Sequence, residues 1–119
     1  MPEFLNPFSG LTPGRKMTLS ELIRAIRLNI AAEEEAVHLY TAHADATDNP
    51  LAKKVLLDIA DEERVHVGEF TKLLKLLDPE EEKFLEQGAE EVNEMVADTP
   101  GQKEPPDKEP PTVGPLKED

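Results

Sequence analysis

Glu63 and His66 stand three residues apart in Asp61-Glu62-Glu63-Arg64-Val65-His66, a spacing that places a carboxylate and an imidazole on one face of a helix. An anionic oxygen beside a neutral nitrogen is a ligand pair for a divalent first-row cation. The apolar residues around them, Leu56, Ile59, Phe70, Leu73 and Leu77, recur in steps of 3 and 4, and the missing rungs are Glu63 and His66. An upstream run, Leu19, Ile23, Ile26, Ile30, Val37, Tyr40 and Ala44, keeps the same rhythm with Glu33 at its one empty rung. Stripes expected to be buried therefore carry two acids and a histidine, and no Lys or Arg stands on either stripe to neutralise them. Burying an ionised carboxylate without a partner costs several kcal/mol or keeps it protonated, and a bound cation would resolve the conflict.

The elements that must position these groups follow from the turn between them. Asp48-Asn49-Pro50 is a turn signal, and Glu33 and Glu63 are each 15 residues from Asp48. That is about 22 Å of helix rise, so an antiparallel hairpin brings the two acids face to face. Thr18-Leu19-Ser20-Glu21 has the capping-box pattern, which predicts a first helix from Leu19 to about Thr47. The second is expected from Pro50 to Leu77. Asp78-Pro79-Glu80-Glu81 then predicts a third, with Asp78 as N-cap and Pro79 at the first helical position, ending near Ala97. Between Asp78 and Ala97 the chain has eight acids and one Lys, −7 of the formal −13. Phe84, Leu85, Gly88, Val92, Met95 and Val96 line one side of that helix. Its charge reads either as a solvated face or as a funnel for divalent cations.

Composition removes several classes of function. A net charge of −13 is unsuited to a phosphate backbone, so no nucleic-acid partner is expected. The absence of cysteine excludes disulfides, thiolate zinc, iron–sulfur clusters and a rubredoxin-type site in this chain. No apolar run is long enough to span a membrane, which makes a cytoplasmic chain without a membrane partner the expectation. With 119 residues, 4% aromatic content and no Trp, the helical stripes need a second surface to pack against, and oligomerisation is expected. Residues 1–16 read as an extended arm, 17–97 as the helical domain, and 98–119, with six prolines, as a tether that does not fold alone.

Di-iron carboxylate bundles take one Glu from each of two helices and a Glu-x-x-His from each of the other two. This chain holds half of that set: Glu33 is the single acid, and Glu63 with His66 is the pair. A two-fold homodimer would complete a four-helix bundle with four carboxylates, which neutralise two divalent ions. Hard oxygen ligands with one imidazole per metal favour iron, with manganese also possible. The alternative is that these polar groups only fix the register of a dimer.

Ala32-Glu33-Glu34-Glu35-Ala36-Val37-His38-Leu39-Tyr40 and Asp61-Glu62-Glu63-Arg64-Val65-His66 are similar to the two ligand-bearing stretches of the encapsulated ferritins, and the resemblance runs from Met17 to Val96. It implies that Glu33, Glu63 and His66 ligate two irons at a dimer interface, that dimers assemble into a ring, and that Fe(II) is oxidised there for mineralisation inside an encapsulin shell. It also implies an outer, cation-collecting pair of acids. Here Glu35 matches one position, Ala32 stands at the other, and Glu34 points about 100° away. Where many members have Trp before the tyrosine, this chain has Leu39.

Tyr40, on the Glu33 stripe, reads as a core residue or as a partner of a ligand, while His38 and His43 read as surface residues. Thr112-Val113-Gly114-Pro115-Leu116-Lys117 resembles a cargo-loading peptide for the shell. The expected function is a ferroxidase on an all-α, ferritin-like hairpin. A rubrerythrin-like peroxide-reducing di-iron protein and a non-enzymatic helical interaction or cargo module are the alternatives.

Overall fold

A computed structural model of the chain describes residues 14–102, and these form three helices: α1 (Leu19–Asp45), α2 (Pro50–Leu77) and α3 (Glu81–Ala97). The expected all-α class is what forms. Most of the N-terminal arm and the peptide at 112–117 lie outside the described residues.

Capping sets the start of α1. The Thr18 hydroxyl accepts from the Glu21 N–H at 3.1 Å, and the Glu21 carboxylate accepts from the Thr18 N–H at 2.9 Å. Arg15 adds two 2.7 Å donors to the same carboxylate. Its hydrogen bonds, with that of the Thr18 N–H, hold the Glu21 carboxyl down at about 2. Two residues earlier than expected, α1 stops at Asp45, because the Ala46 N–H closes it on the carbonyls of Ala42 and His43. Asn49 then caps α2 through a 2.9 Å bond from the Ala52 N–H, with Pro50 in the first turn. Lys53 fastens the tip, its Nζ donating to the Ala44 carbonyl at 2.7 Å, where a cation suits the C-terminal end of α1.

The start expected for α3 is corrected by two residues. The Asp78 N–H donates to the Leu74 carbonyl, so Asp78 closes α2. Its carboxylate accepts from the Glu80 N–H at 3.2 Å and its carbonyl from the Glu81 N–H at 2.9 Å. These bonds hold Pro79 and Glu80 in the turn rather than in the helix.

α1 and α2 pack antiparallel along their length. Among the described residues only Ile26, Ala44, Ala60 and Leu74 are fully buried. On α2 the fully buried positions, Ala60 and Leu74, stand beside the expected stripe, of which Leu56, Ile59, Phe70 and Leu77 are half-buried. Leu73 is left 39% exposed on the flank, and His66 beside it is exposed as well. Burying a large apolar side chain is worth about 1.5–3 kcal/mol, whereas ordering each residue costs about 1–2 kcal/mol, so this core is small for the helix it must hold.

The chain divides after Glu81 into two compact units, the hairpin with its turn and the part carrying most of α3. Within the first, Arg27 of α1 reaches Glu81 at 2.8 Å and Asp78 at 3.7 Å, and its hydrogen bond lowers the Glu81 carboxyl pKa. In the second, α3 buries no residue. Gly68 in α2 and Gly88 in α3 sit mid-helix without positive φ, which among the described glycines belongs to Gly101. Each costs about 1 kcal/mol relative to Ala. If capping fixes the tip as described, Asn49→Ala should cost about 1 kcal/mol of stability. Chemical denaturation reads this as a lower midpoint with unchanged cooperativity, and an unchanged midpoint would mean that Lys53 alone holds the turn.

Candidate metal centre

Glu33 lies near the middle of α1, on the face turned to α2, and the hairpin register sets Glu63 opposite it. One helical turn on, His66 completes the group. One ligand atom from each of the three lies within 4.8 Å of the others, so the structure brings together the residues expected from sequence. His66 Nδ1 is 3.1 Å from Glu63 Oε1 and 3.6 Å from Glu33 Oε2. In the tautomer that carries hydrogen on Nδ1, it donates to Glu63.

Hydrogen bonds among the three groups, and then burial and charge, govern the electrostatics. Glu33 has its pKa raised, first by a hydrogen bond shared with Glu63, then by desolvation and by the Glu63 charge. Glu63 is lowered, because it accepts from Glu33 and from His66. His66 is raised by its hydrogen bond to Glu63 and by the charges of Glu33, Glu63 and Glu69, against a desolvation that lowers it. Glu69 is the contributor that the seam pattern missed. It lies three residues beyond His66, a neighbour on the helix surface though off the apolar stripe.

No Lys or Arg is ion-paired to Glu33 or Glu63 among the described residues. A proton held among the three groups is the metal-free answer to the crowding, and a cation is the other. Two hard oxygens and one imidazole fit iron or manganese. The site is open on one side: the Glu33 and Glu63 side chains are 23% and 18% exposed, but that of His66 is 47% exposed. Glu34 and Glu35 are exposed and outside the cluster, as are His38 and His43. Tyr40 is half-buried, about 10 Å of helix rise from Glu33, and its hydroxyl makes no hydrogen bond to the three groups.

A pair of antiparallel helices bridged by two acids and a histidine defines a ferritin-like carboxylate protein. Residues 25–99 match the Rubrerythrin family. The crystal structure of the encapsulated ferritin domain from Pyrococcus furiosus matches with a TM-score of 0.71 and 40% identity, over 79% of this chain and 95% of that one. The chain belongs to the rubrerythrin family and, within it, to the encapsulated ferritin-like proteins. It is 56% identical over 81 residues to the encapsulin nanocompartment cargo protein EncC of Myxococcus xanthus, which covers 68% of this chain and 61% of that protein. To the ferritin-like-encapsulin shell fusion protein of Pyrococcus furiosus it is 46% identical over 79 residues, 66% of this chain and 23% of the fusion. The chain thus spans less than two thirds of these two curated relatives.

The raised Glu33 carboxyl makes a signed prediction. The unfolded chain releases this proton first, so metal-free stability falls as pH rises from the unfolded carboxylate range through the raised folded value. His66 acts in the same direction: its raised pKa stabilises below the unfolded value and is lost as pH passes the folded one. At alkaline pH, above both transitions, Glu33→Gln should therefore raise the thermal midpoint of the metal-free protein. It should also abolish the further rise that Mn(II) gives the wild type. A metal-free midpoint below wild type would show that the two acids are not in net repulsion.

Proposed function

We propose that the protein is a ferroxidase whose di-iron site is shared across a homodimer, acting on Fe(II) inside an encapsulin shell. The observation that carries this reading is half a site on an open seam, with Glu33, Glu63 and His66 convergent and His66 half exposed. A second copy turned onto that seam doubles two carboxylates and one imidazole to four and two. Four negative charges then balance a pair of Fe(II) ions, and closing the seam covers His66, Leu73 and Val55. That burial supplies apolar area that the hairpin alone lacks.

Iron supplies the redox step: each Fe(II) gives one electron to dioxygen or peroxide and leaves as Fe(III). The protein's groups bind and orient. Glu33 must be ionised to bind, which cation charge favours against the closeness of Glu63, and His66 must be free of a proton on Nδ1 to offer that nitrogen. Glu63, already held in its ionised form, needs no such change. Tyr40 is proposed to pack beside the site, and Glu35, with Glu34, to collect cations outside it. Residues 112–117 are proposed to dock on the shell wall and dimers to assemble into a ring, which places the protein in a cytoplasmic nanocompartment.

The rubrerythrin match favours a second reading, peroxide reduction with iron as resident cofactor. This chain lacks a cysteine with which to build the iron–sulfur centre that would feed it electrons. Anaerobic loading with Fe(II), followed by air or by peroxide, separates the readings: oxidation of many irons per dimer in air supports a ferroxidase. Oxidation no faster than in buffer would leave an inert helical cargo module. Loss of an outer-shell partner of a metal ligand costs roughly 10–100-fold, so Glu63→Ala should slow oxidation at least that much.

Fe(II) should also raise the dimer fraction in light scattering, because binding that needs two chains draws the equilibrium by mass action. A monomer that oxidises iron without gaining mass would contradict the shared site. Removing residues 112–119 should leave the oxidation rate unchanged and abolish co-purification with a shell protein, and a truncated form that still loads would move the address elsewhere.

A further inference from the structure

The two ring nitrogens of His66 face different surroundings. Nδ1 lies 3.1 Å from Glu63 Oε1 and 3.6 Å from Glu33 Oε2, so Nε2, on the opposite edge of the ring, is turned away from both acids. The side chain is 47% exposed, and which nitrogen of such an imidazole is left free is set by the hydrogen bond that the other one makes. Helix geometry supplies a group for that bond. Each step of three residues moves about 4.5 Å along α2 and about 60° back around it, so Glu63, His66 and Glu69 form a file with the imidazole between two carboxylates. Glutamate reaches imidazole across this spacing, as Glu63 does at 3.1 Å. Glu69 is exposed, and neither Lys72, one turn further on, nor any other base is ion-paired to it among the described residues. Its charge, with those of Glu33 and Glu63, contributes to the raised pKa of His66.

We propose that Glu69 is the positioning residue of His66, its carboxylate accepting the Nε2–H so that the proton stays on the outer nitrogen and Nδ1 is left bare for a cation. The two flanking acids compete for the one proton of the neutral ring. Glu63 draws it to Nδ1, and in that form the ring donates to Glu63 and has no lone pair to offer there. Glu69 draws it to Nε2, which gives the tautomer that a ligand needs. Once Glu63 is engaged by a cation, its pull on the ring proton is gone and that of Glu69 remains. The same hydrogen bond restrains the rotation of a ring that stands half exposed on the flank of the hairpin. The proposal rests on reading Glu33, Glu63 and His66 as metal ligands, and Glu69 acts through His66 without touching the cation.

Two measurements on the full chain test this. The first needs no metal: with nitrogen-15-labelled histidine, chelator, and a pH above the His66 transition, NMR reads which ring nitrogen carries hydrogen, and His66→Gln identifies the signals. Wild type should favour Nε2–H. Glu69→Ala should move the balance toward Nδ1–H, and Glu69→Gln, whose amide oxygen still accepts, should fall between. Glu62→Ala removes an equal charge from an exposed position four residues before His66, and should leave the balance as in wild type. The second measurement is Mn(II) affinity, read from the free-ion EPR signal. Glu69→Ala should weaken it roughly 10–100-fold and Glu62→Ala far less, with helix content by circular dichroism equal throughout. A tautomer balance that Glu69→Ala leaves unmoved overturns the proposal. An equal loss of affinity in the two alanine variants does so too, because Glu69 would then be only a source of negative charge. A wild type that takes up no Mn(II) overturns instead the ligand reading of the site, and the NMR result still decides whether Glu69 holds the ring.

Discussion

Glu33 and Glu63 repel one another across the hairpin, and much of the local structure serves to keep them together. The pairing depends on register: each acid stands the same number of residues from the turn, so the first and last bonds of α1 and α2 decide whether the carboxylates meet. A slip of one residue in α2 would move Glu63 about 1.5 Å along the axis and about 100° around it. Asn49 at the start of α2 and Lys53 on the Ala44 carbonyl remove that freedom at the tip, close to where errors would propagate. Arg27, bound to Asp78 and Glu81, does the same at the open end. Capping, usually considered a matter of stability, here sets the geometry of a candidate metal centre.

The second constraint is scarcity of core. With so few residues buried among those described, the hairpin has little core of its own, and its exposed apolar flank lies on the side where His66 opens to solvent. The unsatisfied apolar surface and the unsatisfied charge thus occupy one seam. A partner that covers the first would also complete the second, which ties apolar burial and cation binding to one event. Neither is large alone: the carboxylates oppose closure without a cation, and the apolar area competes with the ordering of two long helices.

Much of this was legible in the sequence, for physical reasons that also mark where legibility ended. The 3- and 4-residue rhythm identified α1 and α2 and isolated Glu33, Glu63 and His66 as its exceptions, because polar groups on an apolar stripe are costly and hence conspicuous. The rhythm could not decide between adjacent rungs. Ile59 and Ala60, or Leu73 and Leu74, both fall within a stripe about 100° wide, and in the structure Ala60 and Leu74 are the buried ones while His66 lies on the flank. The start of α3 was misread because Asp-Pro-Glu is a good N-terminal signal, but Asp78 was already engaged in closing α2. Glu69 escaped notice because it acts through space on His66 from outside the stripe.

On the proposed reading, an open half-site has a chemical advantage. Fe(II) oxidation at a lone chain would deliver Fe(III) and reduced oxygen into solution, where neither is contained. A site that is half complete in one chain, with two acids and one imidazole where a pair of cations needs twice that number, has low affinity until a second copy arrives. Assembly then acts as a condition on chemistry, and the raised pKa of Glu33 is its local signature: the closeness of Glu63 disfavours the Glu33 charge in the lone chain, and cation charge would favour it in the closed pair. The same crowding that weakens the hairpin by itself is what makes the assembled site selective for dications.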